Sequence, residues 1–335
     1  MQKKQYRLII FISLICLLST QALIFASIPK GSDNEKVSVV IKSGMGIKDI
    51  SDLLKNQGLI ESKYLFLFIS LFYRGKLIAG EYELTKNMST IDIVKKMGNG
   101  ERKIYTIKII EGYNIYNVAE VFERAGLIKA DEFVELARNE NLLKGLGIYG
   151  DSIEGYLYPD TYFYSKEIEL DKFIELIVRK TLKVFEKEDV KERMISLNID
   201  IHKVLTLASM IEKEAKVKEE KPLISAVFHN RLKKGMPLDC DPTVIYGSKR
   251  FNLPITKKDL MEFTPYNTYR FKGLPKGPIC SPHVSSIMAV LYPAQVSFLY
   301  FVSKNDGTHV FSEDMHNHNN YVLMYQRAKN KKNHL

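Results

Sequence analysis

Residues 8–28 contain no charged side chain, a run of 21 that follows directly on Lys3, Lys4 and Arg7. About 20 apolar residues in a helix span the ~30 Å hydrocarbon core of a bilayer. This segment therefore decides first what the chain can be. A cleaved signal peptide is the rival reading, and Ala26 with Ile24 supplies a passable cleavage site. Its apolar core would be shorter, about 7–15 residues, so the length predicts a retained anchor. The basic flank predicts a cytoplasmic N-terminus, with everything after Pro29 on the outer side of the cytoplasmic membrane. No second span is expected. Residues 64–73 (YLFLFISLFY) are apolar but number only ten, and read as a buried core helix.

The remainder has the composition of a folded protein. With 335 residues, 45% of them hydrophobic, two or three domains are expected rather than a disordered chain. Lys and Arg exceed Asp and Glu by 49 − 39 = 10, which leaves anionic lipid, cell-wall polymer and nucleic acid open as partners. Placement outside the membrane removes nucleic acid from that set. Cys16, Cys240 and Cys280 are too few for a disulfide framework and lack CxxC spacing.

An internal repeat organises the first half. Residues 39–60 resemble 109–128 at an offset of 68, which superposes Gly44 on Gly112, Ile50 on Val118 and Gly58 on Gly126. Each copy predicts a strand, a Gly turn and an amphipathic helix closed by Gly. Between them, 80–100 predicts a strand and a Ser/Thr-capped helix. The expected fold class is α+β: an N-terminal transmembrane helix (1–29), a linker (30–36), a small α+β domain (37–100), a larger mixed helix/strand domain (101–330) and a basic tail (331–335).

Within the larger domain, residues 204–216 (VLTLASMIEKEAK) have helical period, with Val204, Ala208, Ile211 and Ala215 on one stripe. Glu212 and Glu214 fall on its opposite borders and Lys213 faces water. A carboxyl group at the edge of an apolar face is partly desolvated, which keeps it protonated and suits it to general-acid work on a glycosidic oxygen. Periodicity does not choose between the two, and ordinary pairing with Lys213 or Lys216 would explain both. A second helix is expected at 223–232. The text then becomes rich in Pro, Gly and Tyr, where turns and short strands should replace helices, ending in a hairpin around Asn305, Asp306 and Gly307. Tyr stacks on sugar faces, and Asn, Asp or Thr bond hydroxyls. Asp241, Thr243, Tyr246, Tyr266, Asn267, Thr268 and Tyr269 are thus candidate groove residues. His309, Asp314, His316 and His318 form no recognised metal motif, and G-x-S-x-G, P-loop and G-x-G-x-x-G patterns are absent.

Eight ordered blocks carry a resemblance: EGY (111–113), EGYLYPDTY (154–162), ASMIEKE (208–214), VFHNRL (227–232), DPTVIYG (241–247), YNTY (266–269), GLPKGPICSP (273–282) and LYFV (299–302). The chain is similar to the membrane-anchored endolytic murein transglycosylases (MltG/YceG-like). His309, Phe311 and His316 continue the pattern. The resemblance implies that residues 37–100 are LysM-like and that 101–330 is a catalytic domain facing the cell wall. It implies Glu214 as the general acid and base, Glu212 as a supporting carboxylate, and Asn230, Asp241, Thr243, Tyr266, Asn267 and Tyr269 lining the cleft. It also implies cleavage of the β-1,4 bond between N-acetylmuramic acid and N-acetylglucosamine without metal or cofactor, and association with peptidoglycan synthesis machinery. A hydrolytic muramidase using Asp241 as second carboxylate and a non-catalytic wall-binding scaffold are the competing expectations.

Overall fold

The computed structural model describes residues 2–72 and 76–327; the expected basic tail lies outside them. The chain divides into two compact units, 1–106 with 163–169, and 107–162 with 170–335.

The first unit begins with α1 (Gln2–Ser27), a helix of 26 residues, about 39 Å long at 1.5 Å per residue. Among the described residues, one helix, Lys4–Ser27, is long and apolar enough to cross a membrane. Strand β1 (Val37–Ile41) then pairs antiparallel with β2 (Gly80–Leu84), Val37 opposite Leu84 and Ile41 opposite Gly80. Between them run α2 (Ile47–Asn56) and α3 (Lys63–Phe72), and after β2 comes α4 (Thr90–Gly98). Alternation along β1 turns Val39 and Ile41 inward onto Tyr82, Leu54, Phe66, Ile93 and Met97, all buried. The Ser89 hydroxyl accepts from the Asp92 amide and the Asp92 carboxylate from the Ser89 amide, a capping box that starts α4. Strands β3 (Tyr105–Ile109) and β4 (Asp160–Tyr164) pair with each other. The 163–169 segment is held in this unit by Lys166, whose ammonium is 3.3 Å from the buried Glu81. Glu81 is held down at about 2, first by the Ser38 hydroxyl and then by Tyr105 and Lys166.

α3 corrects one expectation. Only Phe66, Ile69 and Ser70 are buried, while Tyr64, Leu71 and Phe72 stand exposed. The apolar text was long enough for two faces and the domain core used one.

The repeat is realised as expected in both units. Its first copy is β1, a turn at Gly44 (φ 81°) and α2, followed by Gly58 (φ 71°). Its second is β3, a turn at Gly112 (φ 79°) and α5 (Ile115–Arg124), followed by Gly126 (φ 70°). Left-handed backbone at these positions explains why glycine recurs there.

The second unit continues with α6 (Ala130–Leu136), α7 (Glu140–Leu146), α8 (Leu170–Val184), α9 (Glu188–Leu197), α10 (Ile201–Glu214), α11 (Lys221–Lys233), α12 (Asp241–Ser248), α13 (Lys257–Met261) and α14 (Val284–Leu291). β5 (Tyr300–Ser303) and β6 (His309–Ser312) form the expected hairpin, and α15 (Met315–Val322) follows. Phe122, Phe133 and Phe173 pack ring to ring between α5, α6 and α8, at 4.7 and 5.8 Å.

α10 is the central helix. Every residue from Val204 to Ile211 is buried, so the expected single apolar stripe is replaced by burial all round. Its polar members are satisfied internally: the Thr206 hydroxyl donates to His202 O and that of Ser209 to Thr206 O. The helix stops at Glu214, because Ala215 turns extended (φ −78°, ψ 117°). The expected strands and turns after α11 are partly corrected too. DPTVIYG is α12, entered through Pro242 in its first turn, where proline's missing N–H costs nothing.

Candidate active site

Two carboxylates on one helix end in different surroundings. Glu212 is fully engaged. Lys221 Nζ donates to both its oxygens at 3.1 and 3.0 Å, the Ser286 hydroxyl at 2.6 Å and the His283 amide at 2.9 Å. The side chains of Glu212 and Lys221 retain 10% and 9% exposure, so this is a buried ion pair joining α10, α11 and the start of α14.

Glu214, the last residue of α10, instead faces a cleft of about 490 Å³. The Cys240 thiol donates a hydrogen bond to it, Sγ to Oε1 at 3.2 Å. Burial raises its pKa to about 7; the thiol pulls the other way, and the nearby Asp241 charge adds to the rise. A helix C-terminus also disfavours a negative charge. A carboxyl group half protonated near neutrality, with an open cleft before it, is equipped to donate a proton and take one back.

Asp241 and Tyr269 share this cleft, and the Tyr269 hydroxyl donates to Asp241 Oδ1 at 2.7 Å. The hydroxyl's own pKa is raised by burial and by that bond. Behind them, Thr268 Oγ1 accepts from the Cys240 amide at 3.0 Å and lies 2.9 Å from Thr243 Oγ1, which donates to Cys240 O. Thr243 and Thr268 are fully buried. They set the backbone at Cys240 and do not reach the cleft. Asn267 is also buried; its amide group donates to the carbonyls of Asp259, Leu260 and Glu262 and its carbonyl accepts from the Tyr269 amide. It fixes the turn that presents Tyr269.

Three candidates sit elsewhere. Asn230 donates to Val296 O and Phe298 O, both at 2.9 Å, and pins α11 to the segment before β5. Tyr246 and Tyr266 pack together at 4.8 Å, and the Tyr246 hydroxyl donates to Glu154 Oε2. Glu154 is buried and also accepts from the amides of Ile115 and Gly155. Burial lifts it to about 7 against those three donors. It anchors the first turn of α5, and explains the acidic residue that opens the EGYLYPDTY block.

The opposite wall was not legible as a site. Arg231 is buried, donating to Leu299 O, Pro237 O and Asp239, with its guanidinium 5.1 Å from the Tyr300 ring centre. The Tyr300 ring packs against His318 at 5.0 Å, tilted by 35°, and burial and Arg231 push the pKa of His318 down. His309 Nδ1 lies 2.7 Å from Glu220. Arg231, Tyr300, His309 and His318 all line the cleft. In the sequence, the VFHNRL and LYFV blocks and the continuation of the pattern at His309 pointed to this region, without naming it as a wall of the cleft. Asp314, grouped with these histidines in the sequence, caps α15 through the Asn317 amide. Among the described residues no three His, Cys, Asp or Glu side chains are grouped to hold a metal ion.

These features define a mixed α+β protein with, among the described residues, one N-terminal apolar helix, and with a cleft bordered by a proton-donating carboxyl group at a helix end. The YceG-like family matches residues 39–323, and the chain belongs to it. It is 33% identical to an endolytic murein transglycosylase of Bacillus subtilis, over 88% of this chain and 86% of that one. It is 28% identical to one from Streptococcus pneumoniae, over 90% of this chain but 61% of that longer protein. The crystal structure of a putative yceG-like protein from Listeria monocytogenes superposes with a TM-score of 0.59 at 32% identity, over 87% of this chain and all of the other.

Proposed function

We propose that this protein is an endolytic lytic transglycosylase of peptidoglycan, with Glu214 as its general acid and base. The observation that carries the reading is the Glu214 carboxyl group, buried toward a pKa of about 7 at the edge of an open cleft. Protonated Glu214 donates to the glycosidic oxygen linking N-acetylmuramic acid to N-acetylglucosamine, and the bond to C1 breaks as an oxocarbenium-like centre develops. The carboxylate left behind takes the proton of the sugar's own C6 hydroxyl, whose oxygen bonds to C1 and closes a 1,6-anhydro ring. An intramolecular nucleophile brings a high effective molarity, and no second carboxylate is needed to activate water. Asp241 and Tyr269 serve as sugar contacts, with Thr243, Thr268 and Asn267 as the scaffold beneath them. Asn230, Tyr246 and Tyr266 act at a distance from this cleft.

On this reading α1 is a retained anchor with its N-terminus inside and the enzyme on the wall side. Residues 37–100 form a LysM-like domain, and cutting nascent strands beside the elongation machinery would set glycan length. The full-length protein in detergent, incubated with purified peptidoglycan, should release anhydro-ended fragments identified by mass spectrometry. Glu214→Gln should lower that release by about 10²–10⁴-fold. Reducing-end products would establish a muramidase instead, and undiminished anhydro products from Glu214→Gln would overturn the assignment. An inactive wild type that still binds peptidoglycan would point to a scaffold.

A further inference from the structure

α3 is apolar on both faces. Phe66, Ile69 and Ser70 enter the core of the first unit and Leu65 and Phe68 pack against its edge, while Tyr64, Leu71 and Phe72 face away at helical spacing. Tyr64 is 84% exposed, Leu71 68% and Phe72 66%, with Leu65 and Phe68 half-buried. A water-facing helix puts polar residues there, and a contiguous exposed apolar patch marks a binding surface. Continuity decides what covers it. An apolar cleft of about 750 Å³ is walled by Ala22, Phe25 and Ile28 at the end of α1 and by Tyr64, Leu65 and Phe68 of α3. Phe25 and Ile28 are themselves 68% and 56% exposed. α3 therefore stands level with the last turn of α1, where a membrane-crossing helix leaves the hydrocarbon. Charges at the rim are neutralised, Lys30 by Glu61 and Lys63 by Asp52, and Tyr64 has the amphipathic ring favoured at headgroup depth.

We propose that α3 lies in the plane of the bilayer that α1 crosses, its exposed face among the lipid acyl chains and the cleft filled by them. The proposal rests on the anchor reading given above. It seats the first unit on the lipid surface through two elements.

The test uses the full-length chain carrying Cys16→Ser, with Leu71→Cys or Tyr64→Cys labelled by an environment-sensitive fluorophore. Vesicles of phosphatidylethanolamine and phosphatidylglycerol include lipids bearing a nitroxide just below the headgroup. Lys48→Cys, on an exposed position of α2, is the reference. Seating at ~5–10 Å depth predicts a blue-shifted emission and roughly threefold stronger quenching at both α3 positions than at the reference. Co-flotation with vesicles checks the anchor separately. Flotation without quenching at α3 overturns the proposal and leaves the anchor standing, and failure to float overturns both. A blue shift that grows with protein concentration without quenching would assign the face to a second copy of the chain, and also overturns it.

Discussion

The Cys240 thiol donates to Glu214 Oε1 across 3.2 Å, joining the residue before α12 to the last residue of α10. Cys240 is 1% exposed, and burial, reinforced by Glu214, lifts its own pKa well above the ordinary thiol range. It acts as a neutral and weak donor. A hydroxyl in its place should stabilise the carboxylate more. Cys240→Ser is thus expected to shift the alkaline limb of the activity profile to lower pH, and Cys240→Ala to higher pH. Rate profiles of the two variants check this, since opposite shifts would not arise from loosened packing.

The two helix-end carboxylates should separate by stability. Glu212→Gln leaves Lys221 as a buried, half-satisfied charge, a loss of about 3–5 kcal/mol. Glu214→Gln should do the reverse above neutrality. The folded pKa of Glu214 exceeds its unfolded value of 4.5, so its penalty is absent below about pH 4.5 and grows as pH rises through about 7. Wild type should therefore lose stability relative to Glu214→Gln between those limits. Thermal denaturation across pH reads both effects.

Asp241 raises the Glu214 pKa through its charge. Asp241→Asn is expected to move the alkaline limb downward and, by weakening the bond from Tyr269, to raise KM. Anhydro ends should remain the product. Tyr269→Phe should reproduce the KM effect with a smaller shift of the limb. Steady-state kinetics with product mass spectrometry distinguish these outcomes.

Alanine at Gly44 or Gly112 should each cost about 1–2 kcal/mol, the left-handed penalty for a residue with a Cβ. At Gly44 nothing lies within 4 Å of the added atom, and at Gly112 only the Lys213 side chain does, at 3.8 Å. The cost is torsional and should be similar in the two copies. Chemical denaturation of the two variants is the measurement.

Much of the framework was written locally. An uncharged run of sufficient length makes α1, because backbone groups in an apolar helix satisfy one another. The strand, Gly turn and helix of each repeat copy follow from side-chain period and from the φ values that glycine permits. Other text was ambiguous for a physical reason. DPTVIYG has turn-forming residues at one end and became α12, whose first turn tolerates its proline. The apolar letters of α3 specified helix but left open which face would be covered.

Glu212 and Glu214 show where local reading ends. Both border the same face of one helix, and periodicity made them equal; only the family resemblance favoured Glu214. Lys221, Ser286 and the His283 amide neutralise one, while the other meets Cys240 and an open cleft. The sequence alone determined that a carboxylate pair would border the apolar face of a helix within a family-like series of blocks. Only the tertiary structure decided which carboxylate would be paired and which left to titrate near neutrality. Desolvation and ion pairing are set by groups brought from up to 74 residues away, and no periodicity along one helix encodes them.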